Sequence, residues 1–343
     1  MFNLNKLVRD NIIKLKPYSS ARDEYSGDAA VFLDANENPF NDPYNRYPDP
    51  LQRKLKEKIA RIKGVTPEQL FLGNGSDEAI DLLIRVFCEP RVNNIITIDP
   101  TYGMYKVCAD INNVAVREVS LTSGFLLNTV GLLQAADENS RLLFLCSPNN
   151  PTSNSFKRED ILTTVQNFSG IVVLDEAYID FSGEISLVSE LKNYSNLVIL
   201  QTFSKAWGLA GIRLGMAFAS PEIISLLNKI KYPYNVNSLT QQKAIEMTDN
   251  EFTKNDWVNE ILKGREYLMN EMNKIPAVRK VYPSDANFLL VRVNDTRNVF
   301  NYLTENKVIV RDRSKMNLCD GCLRFTIGNR EENRRLIKVL KEM

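Results

Sequence analysis

Short, wholly apolar runs recur through the middle of the chain, and they constrain its fold more than any other feature. Each run is rich in Val, Ile and Leu and ends in polar or turn residues. Runs that are continuous rather than alternating are typical of strands covered on both faces. The four clearest are NNIITIDP (93–100), RLLFLCSP (141–148), GIVVLDEA (170–177) and NLVILQTF (196–203).

Segments with helical periodicity lie between these runs. In 76–87 the apolar positions fall on one face of a helix, and Ser76 is a candidate N-cap. Ser220 is a candidate N-cap for another helix, with Pro221 at its first position. This alternation predicts an α/β fold in which a mostly parallel sheet lies between helices. We place this large, cofactor-binding domain at residues 46–235.

The pattern changes after Pro276, where short strand and helix signals follow one another. They predict a smaller α+β domain built from residues 29–45 and 236–343, with residues 1–28 as an N-terminal arm. A chain of 343 residues exceeds one domain of about 100–200 residues. The signals are NFLLVRV (287–293), DTRNVFNYLTEN (295–306), KVIVRD (307–312), CLRFTIG (322–328) and REENRRLIKVLKEM (330–343).

Charge and hydropathy argue against nucleic-acid and membrane partners. The 43 Lys and Arg residues against 42 Asp and Glu residues leave a net charge of +1. A near-neutral chain gives no electrostatic support for binding either surface. No run reaches the ~20 apolar residues of a membrane helix. The first residues also lack the apolar core of a signal peptide, so we expect a cytoplasmic protein.

The complete absence of histidine excludes several kinds of active site. Ser-His-Asp and Cys-His nucleophiles, histidine metal sites and histidine acid–base catalysis all require that side chain. Cys319 and Cys322 form a lone CxxC motif, which without a second pair makes a zinc site improbable. We therefore expect no metal. Proton transfer near neutral pH must come from another side chain with a shifted pKa or from a cofactor.

Unusual polar residues follow the apolar runs, where ligands collect in an open α/β sheet. Residues 73–77, GNGSD, form a glycine-containing turn that leads into a helix N-terminus. Free N–H groups at such a terminus bind phosphate, although an ordinary capped helix has the same pattern. Asp175 ends an apolar run, which is a poor place for a carboxylate unless it meets a cation. Tyr178 lies just beyond it.

Lys205 is the candidate nucleophile, in the segment TFSKAWGLAGIRLG (202–215). An ordinary lysine is almost fully protonated at neutral pH because its pKa is near ~10.4. Burial or a covalent bond to an aldehyde would change this. A lysine extending from the sheet edge into solvent is the alternative. Ser204 and Arg213 could bind the same anion as the glycine turn.

Pyridoxal phosphate is one cofactor that uses all of these groups together. Its aldehyde bonds to a lysine, and its ring nitrogen pairs with a carboxylate. Its phenolate oxygen accepts hydrogen bonds from tyrosine and asparagine, and its phosphate suits a helix N-terminus with an arginine.

Three motifs, in this order, resemble those of the fold-type I pyridoxal-phosphate aminotransferases: NNPT (149–152), DEAYIDF (175–181) and TFSKAWGLAGIRLG. Within that group, six more segments are similar to the histidinol-phosphate aminotransferases: KPYSSAR (16–22), LDANENPF (33–40), RYPDP (46–50), GNGSDEAID (73–81), VIVRDRS (308–314) and LRFTIGNREEN (323–333). The likeness runs nearly end to end. It implies the fold-type I fold, pyridoxal 5'-phosphate as cofactor and a homodimer. It also implies amino transfer between glutamate and imidazole-acetol phosphate in histidine biosynthesis.

The resemblance also implies roles for residues around the cofactor ring. Lys205 bonds to the aldehyde and catalyses proton transfer. Asp175 pairs with the ring nitrogen, Tyr178 and Asn150 hold the phenolate oxygen, and Tyr102 stacks on the ring. Those implied for the cofactor phosphate are Gly75, Ser76, Asp77 through its backbone N–H, Ser204, Arg213 and, from the partner subunit, Tyr47.

For the substrates, the resemblance implies that Arg324 binds the carboxylate of glutamate. Arg311, with Tyr18, would bind the phosphate of histidinol phosphate. One position departs from the family pattern, because Ser153 follows NNPT where glycine is usual. If that position needs a positive φ, serine strains the turn modestly.

Other interpretations of the same residues stay open. Tyr102 and Tyr47 would also suit a core or an interface, and Arg311 and Arg324 would suit solvated strand ends. A decarboxylase of a phosphorylated amino acid, similar to threonine-phosphate decarboxylase, would share the cofactor residues. So would an aminotransferase for aromatic amino acids. A binding domain without cofactor is the non-enzymatic alternative.

Overall fold

The computed structural model describes residues 3–18 and 31–343, which contain two β-sheets. The seven-stranded sheet contains β1 (Leu70–Asn74), β2 (Asn94–Asp99), β3 (Ala115–Ser120), β4 (Ser140–Cys146), β5 (Ile171–Asp175), β6 (Leu197–Thr202) and β7 (Leu214–Phe218). The four-stranded sheet contains β8 (Val278–Val281), β9 (Phe288–Val293), β10 (Arg311–Asp312) and β11 (Cys322–Thr326).

Helices cover both sheets. In the described residues they are α1 (Asp10–Lys14), α2 (Arg53–Lys63), α3 (Gly75–Phe87), α4 (Met104–Ile111), α5 (Thr129–Gln134), α6 (Arg158–Asn167), α7 (Pro221–Ile230), α8 (Ser238–Thr248), α9 (Glu251–Met272), α10 (Thr296–Glu305) and α11 (Arg330–Lys341). As predicted, Ser220 caps α7 by accepting from the Ile223 N–H, and Pro221 is its first residue.

The large sheet has the strand order β1-β7-β6-β5-β4-β2-β3. Neighbouring strands from β3 to β6 are parallel, whereas β7 runs antiparallel to both β6 and β1. The four apolar runs of the sequence form β2, β4, β5 and β6, and every residue of β5 and β6 is buried. Apolar side chains on both faces pack under helices, at ~1.5–3 kcal/mol for each large side chain. The predicted α/β architecture is therefore confirmed.

The register of the parallel strands brings their carboxyl ends to one edge. Cys146 at the end of β4 pairs with Asp175 at the end of β5, and Asp175 pairs with Leu200 of β6. The loops that follow these three strands therefore leave the sheet side by side. Because β7 is antiparallel and begins at Leu214, the residue before it, Arg213, lies at the same edge.

The smaller sheet has the order β10-β11-β9-β8 and is antiparallel throughout. Helices α9, α10 and α11 contribute to its core. The strand predicted over 307–312 is wrong except for its last two residues. The Val308 N–H bonds back to the Leu303 carbonyl of α10 at 2.8 Å, and residues 308–310 stay outside the sheet. The division into an arm and two domains stays a proposal, since α8 packs against α2 of the large part.

Candidate active site

A cleft opens where the carboxyl ends of β4, β5 and β6 meet. It brings together every residue predicted to bind the cofactor except Tyr47. The residues that line it are Gly75, Ser76, Asp77, Tyr102, Cys146, Asn150, Asp175, Ala177, Tyr178, Thr202, Ser204, Lys205 and Arg213.

One end of the cleft is the N-terminus of α3. The helix begins at Gly75, which has a φ of +71°, and Asn74 occupies the N-cap position. The prediction of Ser76 as N-cap is therefore wrong, because the glycine lets the helix start two residues earlier. Ser76 instead lies in the first turn, where backbone N–H groups have no partner within the helix. Such a terminus attracts an anion.

Two glycines let the start of β7 approach this helix terminus. A Cβ on Gly75 would lie 2.7 Å from the Arg213 guanidinium, and one on Gly215 would lie 2.1 Å from the Ser76 nitrogen. Arg213 itself has a φ of +56°, and its carbonyl accepts from the Gly75 N–H at 2.8 Å. Its Nη2 lies 3.8 Å from an Asp77 carboxylate oxygen, and its side chain is half exposed. The arginine therefore has donors available beside the helix terminus.

At the base of the cleft, the Asp175 carboxylate is only 3% exposed. It accepts hydrogen bonds from the Tyr105 hydroxyl at 2.7 Å and from the Ala177 N–H at 3.0 Å. Burial raises its pKa to about 6, although the Tyr105 bond acts in the opposite direction. No ion pair of Asp175 is present within the described residues. A cation in the cleft would compensate for this buried charge.

Tyr105 is a residue that the sequence analysis missed. It is fully buried, stacks on Phe144 with ring centroids 4.8 Å apart, and meets Tyr102 edge-on at 5.6 Å. The available signal was its position three residues after Tyr102, in the first turn of α4. An aromatic side chain at helical spacing resembles an ordinary core residue, so the sequence did not single it out.

Lys205 lies in the turn after β6 with its side chain in the cleft. Its Nζ is 5.5 Å from the centroid of the Tyr178 ring and makes no hydrogen bond within the described residues. Burial lowers the pKa of Lys205, and the nearby Arg324 lowers it further. The turn is held by Phe203 and Trp207, which are buried and pack at 5.0 Å. The geometry thus presents an amine that is more easily deprotonated than an exposed lysine.

A hydrogen-bonded chain joins the two sheets across the cleft. Arg324 of β11 donates to the Asn150 side-chain oxygen at 2.7 Å, and Asn150 donates to the Tyr178 hydroxyl at 3.4 Å. The Arg324 guanidinium lies over the ring of Phe288, 5.2 Å from its centroid. Tyr178 also packs edge-on against Phe288, at 5.1 Å. These contacts connect the small sheet to the residues that line the cleft.

Ser153, at the position where the family pattern has glycine, has a φ of +66°. This is the conformation in which serine was expected to strain the turn, at a cost of about 1 kcal/mol. The buried hydroxyl donates to the carbonyls of Thr152 at 2.6 Å and Pro283 at 3.1 Å. The Asp285 N–H in turn donates to the Ser153 carbonyl at 2.7 Å. The serine thereby ties the Asn150 loop to the segment that leads into β9.

The remaining predicted residues differ in how close they lie to the cleft. The Tyr102 hydroxyl donates to Asp77 at 3.1 Å. Tyr47 lies outside the lining residues and stacks on Tyr234 with centroids 4.4 Å apart. Tyr18 is 71% exposed. Residues 19–28 of the predicted arm, with the end of its KPYSSAR motif, lie outside the described residues.

Comparison with known proteins identifies the family. The model of the family aminotransferase class I and II matches residues 24–340. The chain belongs to this family. A histidinol-phosphate aminotransferase from Parabacteroides distasonis is 57% identical over 343 residues, covering 100% of this chain and 99% of that protein.

Solved structures of aminotransferases resemble this fold. The histidinol-phosphate aminotransferase from Clostridium acetobutylicum matches with a TM-score of 0.81 at 26% identity, covering 87% of this chain and 90% of that one. The histidinol-phosphate aminotransferase from Sinorhizobium meliloti, in complex with pyridoxal-5'-phosphate, matches with a TM-score of 0.79 at 22% identity. That match covers 87% of this chain and 82% of the other. At 22% identity, the match to the Sinorhizobium meliloti structure supports the fold alone.

Residues 3–18 and 31–343 contain neither a membrane-spanning helix nor a metal-binding cluster. No helix there is both long and apolar enough to cross a membrane. No group of three or more Cys, Asp or Glu side chains in that part of the chain is arranged to hold a metal ion.

Proposed function

We propose that this chain is a histidinol-phosphate aminotransferase. It transfers an amino group between L-glutamate and imidazole-acetol phosphate, giving 2-oxoglutarate and L-histidinol phosphate in histidine biosynthesis. The observation that carries the proposal is the match along the whole chain, at 57% identity, to a relative of that name. The same match favours amino transfer over the decarboxylase and the aromatic aminotransferase.

The cleft residues fit pyridoxal phosphate. A binding site for its phosphate is formed at the N-terminus of α3. Gly75 and Gly215 let the start of β7 approach this terminus, and the half-exposed Arg213 lies beside it. Asp175, whose pKa is raised to about 6 by burial, suits a protonated ring nitrogen. Lys205, with its lowered pKa, suits the aldehyde. When bound, the cofactor supplies an aldehyde that bonds to amines and a ring that accepts an electron pair from the substrate carbon.

The side chains of the cleft then have distinct roles. Lys205 would hold the cofactor through its aldehyde, and its free amine would accept the proton from the substrate carbon. Asp175 keeps its charge opposite the ring nitrogen, and the Asn150–Tyr178 pair donates toward the phenolate oxygen. Tyr102 stacks on the ring.

The substrates are anions, and the charged side chains match them. Arg324 binds the carboxylate of glutamate, and Arg311 with Tyr18 binds the phosphate of histidinol phosphate. The residues that would hold the cofactor phosphate are Gly75, Ser76, Asp77 through its backbone N–H, Ser204 and Arg213.

The active unit is proposed to be a homodimer in which Tyr47 reaches the partner's cofactor phosphate. Analytical ultracentrifugation would test the assembly. Mixing Tyr47→Phe subunits with unaltered subunits would test whether Tyr47 acts across the interface. A location in the cytoplasm stays a prediction from the sequence.

The reaction class can be tested by product analysis. With histidinol phosphate and 2-oxoglutarate, the purified enzyme is expected to form glutamate and imidazole-acetol phosphate in equal amounts. Carbon dioxide release from a phosphorylated amino acid, without glutamate formation, would favour the decarboxylase and contradict the proposal. Faster turnover of phenylpyruvate than of imidazole-acetol phosphate would favour the aromatic aminotransferase.

Tyr105→Phe is expected to weaken the hold of Asp175 on the ring nitrogen. The hydrogen bond from the Tyr105 hydroxyl lowers the pKa of Asp175. The substitution removes this bond and therefore raises that pKa further. The reaction needs the ionised carboxylate, so the acidic limb of the kcat profile should shift to higher pH. Cofactor affinity should fall about tenfold, as expected for a hydrogen bond to a charged group.

The pH profile of kcat and the cofactor Kd, measured by absorbance, check this expectation. Tyr302→Phe, on the small-domain helix α10, is the matched control and should change neither quantity. An acidic limb that does not move in the Tyr105 variant would contradict the role of its hydroxyl.

A further inference from the structure

Three arginines share one face of the hairpin formed by β10 and β11. Arg311 lies directly opposite Arg324 in the ladder. The Arg313 N–H bonds to the Cys322 carbonyl at 3.0 Å, which continues the pairing beyond β10. Because side chains alternate along a strand, Arg313 lies on the same face as Arg311. Asp312, between them, lies on the other face, where it accepts from the Ser314 N–H at 2.8 Å.

This arginine face is turned toward the cleft. Arg324 reaches the cleft-lining Asn150 at 2.7 Å. Burial raises the pKa of Tyr178, another lining residue, whereas the nearby charges of Arg324 and Arg313 lower it. Arg324 and Arg313 therefore lie on the small-sheet side of the cleft, and Arg311 adjoins Arg324 in the hairpin.

In the part of the chain that the structure describes, no acid compensates for this concentration of charge. Within the described residues, none of the three arginines forms an ion pair with a carboxylate, and the Nε atoms of Arg313 and Arg324 are buried without a hydrogen-bond partner. Like charges on opposite strands destabilise a hairpin. Burial, followed by the charges of Arg324 and Arg311, lowers the pKa of Arg313 to about 10. The described residues supply no anion to this arginine cluster, so the cluster suits an anionic ligand.

We propose that Arg313 is a specificity-determining residue that binds the substrate phosphate together with Arg311. The inference rests on the proposed function and adds a residue to it. A phosphate monoester carries a charge of about −1.5 to −2 near pH 7, whereas a carboxylate carries −1. In the proposed function Arg324 binds one carboxylate of glutamate, and the second carboxylate, with a charge of −1, is the group that a phosphate replaces in histidinol phosphate. A third cation therefore favours the phosphorylated substrate over glutamate, and its planar fork fits phosphate oxygens.

Arg313→Met tests the inference, because it removes the charge and keeps most of the apolar stem. The expected result is a fall of about 10- to 100-fold in kcat/KM for histidinol phosphate, as for one lost charge-assisted hydrogen bond. The loss should appear mainly in KM. In the separate half-reaction with glutamate, the change should stay below about threefold. Arg313→Lys, which keeps a charge without the fork, should be intermediate.

Arg297→Met is the matched control, since Arg297 is exposed on α10 in the same small domain. It should leave both half-reactions unchanged. Calorimetric titration of the cofactor-loaded enzyme with inorganic phosphate adds a readout without turnover, in which the Arg313 variants should bind more weakly.

Three outcomes would overturn the inference. These are an unchanged KM for histidinol phosphate, an equal loss toward glutamate, or unchanged phosphate binding in the Arg313 variants. If Arg313→Met does not fold, the same comparison with Arg313→Lys decides. Failure of the proposed function is distinguishable, because the unaltered enzyme would then not turn over histidinol phosphate at all.

Discussion

Lys205→Ala is expected to purify without the absorbance of the lysine-linked cofactor and without measurable transamination. The variant loses the amine that holds the aldehyde and the base that moves the proton. Removing one positioned acid–base group costs about 10²- to 10⁴-fold in rate, and loss of the covalent link adds to this. Absorbance spectra and a coupled glutamate assay measure the two effects separately.

Lys56→Ala is a suitable comparison, since Lys56 is another buried lysine, in α2, outside the cleft. Burial lowers its pKa to about 8, so the two lysines share an unfavourable environment. The Lys56 variant should keep the cofactor absorbance and most of its turnover. Near-normal transamination by Lys205→Ala would remove the assignment of the nucleophile.

Asp175→Asn is expected to lower kcat by at least about 10²- to 10³-fold. A fixed negative charge opposite the ring nitrogen stabilises the charge that develops in the reaction, and a neutral amide does not replace it. Steady-state kinetics with saturating cofactor would measure the loss. Saturation matters because the cofactor should also bind more weakly.

The same substitution is expected to stabilise the cofactor-free protein above neutral pH. The pKa of Asp175 is raised by burial from 3.8 to about 6. Its contribution to stability is therefore fully present below pH 3.8 and is lost as the pH rises through about 6. At pH 8 the raised pKa of Asp175 lowers the free energy of unfolding by about 3 kcal/mol. Unfolding midpoints of the cofactor-free forms at pH 5 and pH 8 would show whether asparagine removes this dependence.

Glu176→Gln provides the matched control at the neighbouring position. The buried Glu176 carboxylate points away from the cleft and accepts from the Ser186 hydroxyl, the Leu187 N–H and Gln201. Its substitution should lower stability because a satisfied carboxylate is replaced by an amide that cannot accept all three bonds. Turnover should change little. If Asp175→Asn and Glu176→Gln have equal effects on kcat, the special role of Asp175 is contradicted.

The sequence predicted the central strands well and the edges of the sheets poorly. The runs that became β4, β5 and β6 are continuous and apolar because both faces are covered, so they could be recognised directly. β3 is a partly exposed edge strand with charged residues, and β8 is similar. Neither has a clear apolar pattern. β7 begins in the last two residues of the motif 202–215, whose lysine and arginine indicated a binding site rather than a strand.

The site was predictable where residue type and strand end coincide. Asp175 and Lys205 stand out because a charged group follows an apolar run, and the parallel register brings those ends together. Tyr105 and Arg313 were not singled out, because their roles depend on contacts between elements distant in sequence. The start of α3 also depended on tertiary contacts, since the approach of β7 to Gly75 sets it.

Absorbance of the purified, cofactor-loaded enzyme during its two half-reactions is the most direct measurement. Glutamate alone should convert the lysine-linked form of the cofactor to its amine form, with release of one equivalent of 2-oxoglutarate. Imidazole-acetol phosphate should then restore the starting spectrum and yield histidinol phosphate. A spectrum that glutamate does not change, or an amine form that imidazole-acetol phosphate does not discharge, would contradict the proposed activity.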